Sequence, residues 1–166
     1  MATLPDMVSY FNQETMVSIL VPKSWSGAIV DSSKFRIFGL PEPGFEEYFD
    51  EYKVSMSYEL QKPDSSNDSW FESLIVQNNA LMQQDYNEYK LLQEQTYEIG
   101  GHQTYCKHYS WREENTGLRL FQMQAFIVGS PYKFYLINAA VLESLERKYI
   151  PIFENILNST RIIPRN

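Results

Sequence analysis

From Leu118 onward the chain reads LRLFQMQAFIVGS, a turn at Ser130-Pro131, KFYLINAAVLES and then LERKYIPIFENILNST: two strands followed by an amphipathic helix. Both strands carry apolar residues on both faces. A sheet built from them must be covered on two sides, by helices, by a partner or by a bound ligand. A strand pair with this demand makes an α+β sandwich the natural solution, and it names no reaction.

The chain has 166 residues, the length of one domain, and at that size folding buries about 70% of the unfolded surface without a disulfide or metal staple. No internal repeat, Gly/Ser linker or long charge block divides it, so a single domain over 1–166 is expected. The formal charge of −7 argues against nucleic acid as a partner, because binding to a phosphate backbone is driven by Lys and Arg displacing condensed counterions. The lone Cys106 excludes an intramolecular disulfide and fits a reducing compartment. The first fifteen residues hold two acids, no base and no apolar core of signal-peptide length, so a cytoplasmic location is the expectation. The longest near-continuous apolar run, 134–142, falls far short of the ~20 residues of a membrane-spanning helix.

Short β-rich runs at 7–11 and 16–21, separated by Asn12-Gln13-Glu14, predict an N-terminal hairpin that ends at Pro22. Residues 34–38 form a third strand, closed by the breakers Gly39, Pro41, Pro43 and Gly44. Residues 52–60 alternate, with Val54, Met56, Tyr58 and Leu60 on one face and Ser55, Ser57 and Glu59 on the other. The polar loop 63–68 leads into a helix with Asp68 as its N-cap and Glu72 in the first turn. Trp70, Phe71, Leu74, Ile75, Leu81 and Met82 make that helix's apolar stripe. Asn78 lies within the stripe, and a buried amide must find a partner or cost roughly 1 to 3 kcal/mol. Four strands then follow at roughly 89–99, 103–112, 118–128 and 132–141, joined by short turns at Gly100-Gly101, 114–117 and Ser130-Pro131. The expected architecture is therefore an α/β/α sandwich around a central antiparallel sheet of about six strands. In the last helix, Pro151 predicts either a kink or a fresh start.

Candidate chemistry is sparse. Strand alternation puts His102, Cys106 and His108 on one face, and these are zinc-type side chains. His102 and Cys106 nevertheless stand about 13 Å apart along a strand, and no second Cys or third His exists to complete a four-ligand site. A small buried thiol with its histidines near solvent is the simpler reading. Cys106 and His108 point in parallel rather than converging, which disfavours a nucleophile and base. Glycine loops for phosphate or dinucleotide binding, the G-x-S-x-G turn and the H-E-x-x-H helix are all missing. The sequence thus predicts neither a cofactor, a metal nor catalytic residues.

Two surfaces invite binding. Phe45, Glu46, Glu47, Tyr48, Phe49, Asp50 and Tyr52 alternate rings with carboxylates at a spacing that could line the aromatics along one side of a short helix, as a contact surface for a basic partner. An aromatic-lined pocket between helix and sheet is expected near Asn78 and Trp70. The strand pattern also allows Tyr105, Tyr109, Trp111, Phe121, Met123 and Ile127 to share one face, with Leu120, Phe126 and Val128 on the other. Such an apolar surplus would serve a protein partner or a second subunit in a homodimer.

Several spacings resemble a known group: Pro22-x-x-Trp25, the Ile99-Gly100-Gly101-His102-Gln103 turn, Gly129 before the 132–139 strand, and Tyr149-x-Pro151-x-Phe153-x-x-Ile156-x-x-Ser159. Together they look like the PsbP-like family, over about residues 16–163. That group includes the photosystem II extrinsic protein, a yeast Ran-binding protein and bacterial chaperones associated with type VI secretion effectors. The resemblance implies an α/β/α sandwich, no enzymatic activity and no catalytic residues. The expected function is a non-enzymatic protein-binding module of assembly-factor or chaperone type, and the alternative is a small-ligand carrier or sensor.

Overall fold

The computed structural model describes residues 4–44, 53–65 and 67–165. Among the described residues, two antiparallel sheets and two α-helices make an α+β, α/β/α sandwich. Strands β1 (Met7–Asn12) and β2 (Val17–Pro22) form the expected N-terminal hairpin and are joined by β10 (Arg161–Ile162) in a small sheet of order β1-β2-β10. The large sheet contains β3 (Ser26–Asp31), β4 (Lys34–Phe38), β5 (Ser55–Gln61), β6 (Lys90–Ile99), β7 (His102–Arg112), β8 (Arg119–Ser130) and β9 (Lys133–Leu142). Its order is β3-β4-β5-β9-β8-β7-β6. Helix α1 (Trp70–Asp85) covers one face, while α2 (Glu146–Asn158) and the small sheet cover the other.

The large sheet has seven strands rather than about six. The additional strand, β3, reads as Ser-Gly-Ala-Ile-Val-Asp and is exposed along its whole length, so no alternation betrays it. It stays attached partly because Gly27 lets the Tyr10 ring approach closely: a Cβ at this position would meet that ring at 2.5 Å. Tyr10 in turn packs on Phe35, with ring centroids 5.5 Å apart.

The face toward α2 holds the main core. Phe35, Met56, Tyr58, Cys106, Met123, Ala125 and Ile137 pack there with Val17, Ile19, Phe153 and Ile156. Phe35 stacks on Tyr58 at 5.1 Å, and Trp25 meets Phe153 edge-on at 6.4 Å. Buried hydroxyls tie distant elements together. Tyr58 shares a 2.7 Å hydrogen bond with Thr160, and Tyr135 donates to the Thr15 carbonyl at 3.0 Å. At the hairpin turn, Asn12 Oδ1 accepts from both the amide and the hydroxyl of Thr15.

Three local expectations are corrected. Register pairs Tyr105 with Phe126 and His108 with Met123, so Tyr105, Tyr109 and Trp111 share a face with Leu120, Phe126 and Val128, opposite Phe121, Met123 and Ile127. Seven of these nine side chains are buried within the one chain and the other two, Trp111 and Val128, are partly buried, so the central strands carry no apolar surplus. Ser69, not Asp68, is the N-cap of α1; its hydroxyl turns back to Asn67 Oδ1 at 3.1 Å and makes no cap bond. Helix α2 begins five residues before Pro151 and runs through it, so Pro151 does not start a new helix. The missing N–H falls at the second turn, where Tyr149, Ile152 and Phe153 are anchored in the core.

Candidate functional site

Helix α1 starts where two hairpin tips come together. Its first turn, the Gly100-Gly101 turn before His102 and the Gly129–Tyr132 turn after β8 enclose an open groove of about 530 Å³. Gly100 and Gly101 take φ of 56° and 84°, which the tight β6–β7 turn requires. Trp70 stands in the wall, edge-on to Phe71 and 5.6 Å from Phe134, and it also lines a second recess of about 220 Å³ beside Pro63 and Asp64. Tyr132 is 76% exposed at the rim. His102 Nδ1 lies 2.8 Å from the Val128 carbonyl oxygen; a carbonyl only accepts, so this nitrogen carries the proton.

Asn78 sits two turns further along α1. Its amide donates to Gln124 Oε1 at 2.6 Å and approaches Met82 Sδ at 3.7 Å, the partners a buried amide requires. It lines neither Trp70 recess.

Beyond Asn78, α1 covers a polar cluster centred on Lys107, which is 0% exposed. Lys107 Nζ donates to Asn79 Oδ1 at 2.6 Å and to the Tyr89 hydroxyl at 3.2 Å, and it lies 5.1 Å from the Tyr109 ring centroid. Asn79 also donates to the Tyr105 hydroxyl at 3.1 Å, which donates to Glu94 at 2.7 Å. Burial lowers the Lys107 pKa to about 8, against the opposing pull of Glu94. In the sequence this lysine looks like an ordinary strand cation, because it stands between Cys106 and His108, whose side chains point to the other face. Its alternation with Tyr105 and Tyr109 is the one local sign that it faces α1.

On the opposite face, Cys106 is buried as expected, but His108 is buried beside it rather than near solvent, because α2 and Phe121 cover this face, whereas His102 is drawn to Val128. Among the described residues, no group of three or more His, Cys, Asp or Glu side chains is placed to hold a metal ion. His108 lies edge-on to Phe121 and 3.8 Å from Glu154, and burial lowers its pKa. Burial pushes the Cys106 thiol up to about 12, so almost no thiolate exists at neutral pH. Native protein is expected to resist alkylation by iodoacetamide for hours at pH 8 and to react fully in denaturant, as read by intact mass. Rapid native labelling would show an accessible thiolate.

The segment containing Phe45, Glu46, Glu47, Tyr48, Phe49, Asp50 and Tyr52 lies outside the described residues. Just before it, Glu42 accepts hydrogen bonds from Lys148 and Tyr149 of α2. Burial opposes ionisation of Glu42, but those two donors outweigh it and hold the carboxyl below its usual range. The preceding chain is thereby pinned to α2 beside a cleft of about 280 Å³ lined by Pro22, Trp25, Pro41 and Pro43.

No protein-family model matches the chain, and no curated protein is similar to it in sequence. Solved structures do match. LpqN of Mycobacterium tuberculosis, involved in cell envelope biogenesis, superposes with a TM-score of 0.69 at 14% identity, over 96% of this chain and 91% of its own. The cyanobacterial PsbP (CyanoP) of Synechocystis sp. PCC 6803 gives 0.62 at 12% identity, over 97% and 95%. The Ran-binding protein Mog1p of Saccharomyces cerevisiae gives 0.61 at 13% identity, over 96% of each chain. The likeness is one of fold. It spans nearly the whole chain, and a PsbP and a yeast Ran-binding protein, two of the three kinds of protein named with the resemblance, are among the matches. Among the described residues, no helix is long and apolar enough to cross a membrane.

Proposed function

We propose that this chain is a non-enzymatic protein-binding module of assembly-factor or chaperone type, a single PsbP-like domain over 1–166 that works in the cytoplasm. The observation that carries the reading is the contrast between a sealed interior and a receptive end of the sheet. The thiol and imidazole that could do chemistry are buried and held in their neutral forms, whereas aromatic side chains meet solvent in an open groove around Trp70 and Tyr132. Such a surface suits a docked segment better than an engulfed small molecule. The shared fold with a Ran-binding protein supports the same class of function without naming a partner.

The aromatic and acidic segment Phe45, Glu46, Glu47, Tyr48, Phe49, Asp50 and Tyr52 is assigned as a second contact surface. A small-ligand carrier using Trp70 is the other reading, favoured by the recess beside Pro63. That recess, at about 220 Å³, is smaller than the ~300 Å³ typical of ligand pockets. Affinity capture from the cells of origin, comparing wild type with Phe45→Ala/Tyr48→Ala/Phe49→Ala, tests the assignment. A stoichiometric protein partner held by wild type and lost from the variant is expected. A variant that retains the partner in full removes the segment from the interface.

A further inference from the structure

The groove at the start of α1 has a definite chemical bias. Asp68 and Glu72 line it, and no Lys or Arg does. Among the described residues, neither carboxylate is engaged in an ion pair. Because His102 spends its Nδ1 proton on Val128, the neutral ring offers only an acceptor at Nε2. The one lysine of the neighbouring turn, Lys133, precedes Phe134 on β9 and so belongs to the opposite face of the sheet. Trp70 and Tyr132 add ring faces, which attract cations. The N-terminus of α1 contributes a partial positive charge, about half a unit, and the two carboxylates exceed it.

We infer that this groove docks a Lys- or Arg-bearing extended segment of a protein partner, with basic heads pairing to Asp68 and Glu72 and at least one side chain lying across Tyr132 or Trp70. Carboxylates select the charge, and the rings reward a long aliphatic stem that ends in a cation, which a simple metal ion lacks. An acidic segment would meet two like charges and no donor side chain of opposite sign. The inference rests on the protein-binding reading and specifies the partner's chemistry.

The test is a titration of the full-length, ¹⁵N-labelled chain with acetyl-GKRKRG-amide and, separately, acetyl-GEDEDG-amide. The expected result is saturable movement of the Trp70 indole and of the Gly101 and Gly129 amides with the basic peptide alone, weakened by added NaCl. Asp68→Asn/Glu72→Gln should weaken binding by roughly fivefold or more, and Tyr132→Ala by about threefold. All three positions are exposed, so unchanged melting temperatures are expected to accompany the loss. Shifts scattered over other acidic stretches, including 45–52, and unaffected by these substitutions would overturn the inference. So would equal binding of the acidic peptide. Capture from cells separates the two levels of the account. A partner retained by Asp68→Asn/Glu72→Gln/Tyr132→Ala as fully as by wild type overturns the groove assignment alone, whereas a wild type that captures no protein removes the protein-binding reading itself.

Discussion

Phe153→Ala should lower stability by about 3 to 5 kcal/mol, seen as a large fall in the urea midpoint with little change in slope. Phe153 is fully buried where α2, the small sheet and the large sheet meet, with Trp25 edge-on to it and Tyr149 at 6.1 Å. Truncation removes a whole ring and leaves a cavity among side chains already fixed by the Tyr58–Thr160 and Tyr135–Thr15 hydrogen bonds, so little collapse can compensate. Phe153→Leu, which fills most of the space, should cost roughly 1 to 2 kcal/mol. Val76→Ala on the exposed side of α1 should stay within about 0.5 kcal/mol. A loss below about 1 kcal/mol for Phe153→Ala would mean that the α2 face is not the main core.

The second large effect concerns pH. Lys107 has a folded-state pKa near 8, below the ~10.4 of an unfolded chain. Between those values the unfolded state binds the proton and the folded state does not, so Lys107 by itself makes stability rise with pH there. Cys106 acts in the opposite sense: its thiol, pushed up to about 12 in the folded state, ionises near ~8.5 in the unfolded chain, so it makes stability fall over the same range. Above about pH 9 the unfolded tyrosines also ionise, whereas burial keeps Tyr58, Tyr97, Tyr105, Tyr109 and Tyr149 protonated in the folded state, so stability falls further. Denaturation across pH 7 to 11 should therefore show nearly level stability up to about pH 9, where the Lys107 and Cys106 contributions offset each other, followed by a decline. Lys107→Met should remove the offset, so that stability already falls by about 1 kcal/mol from pH 8 to 9. A variant that stays level to about pH 9 would assign the offset to another group.

Much of the fold is legible in the sequence where local signals agree. Strands β6 to β9 follow from β-rich runs bounded by the Gly100-Gly101 and Ser130-Pro131 turns, and α1 follows from its stripe of Trp70, Phe71, Leu74 and Ile75. Strand β3 is illegible because it buries none of its residues and depends on Tyr10 crossing Gly27, a contact between segments far from any common pattern. The side-chain grouping across β7 and β8 failed because composition fixes neither register nor face: Tyr105 opposite Phe126 is a fact about the 112–119 connection and its pairing, not about either strand alone.

The groove shows the same division. Trp70 was identifiable as an aromatic at a helix start, and Asn78 as a polar residue in need of a partner. Nothing local says that the tips of two hairpins converge on that helix end, and this convergence gives Tyr132, His102 and Asp68 a common wall. The Lys107 cluster likewise joins α1, β6 and β7, so each of its residues looks ordinary in its own segment.

Native mass spectrometry of the tagged full-length chain, purified gently from the cells it comes from, tests the protein-binding claim most directly. A peak for a defined complex with a second protein is expected, with no small-molecule adduct that survives desalting. A chain that emerges without any protein partner, or one carrying a stoichiometric small molecule, would contradict it.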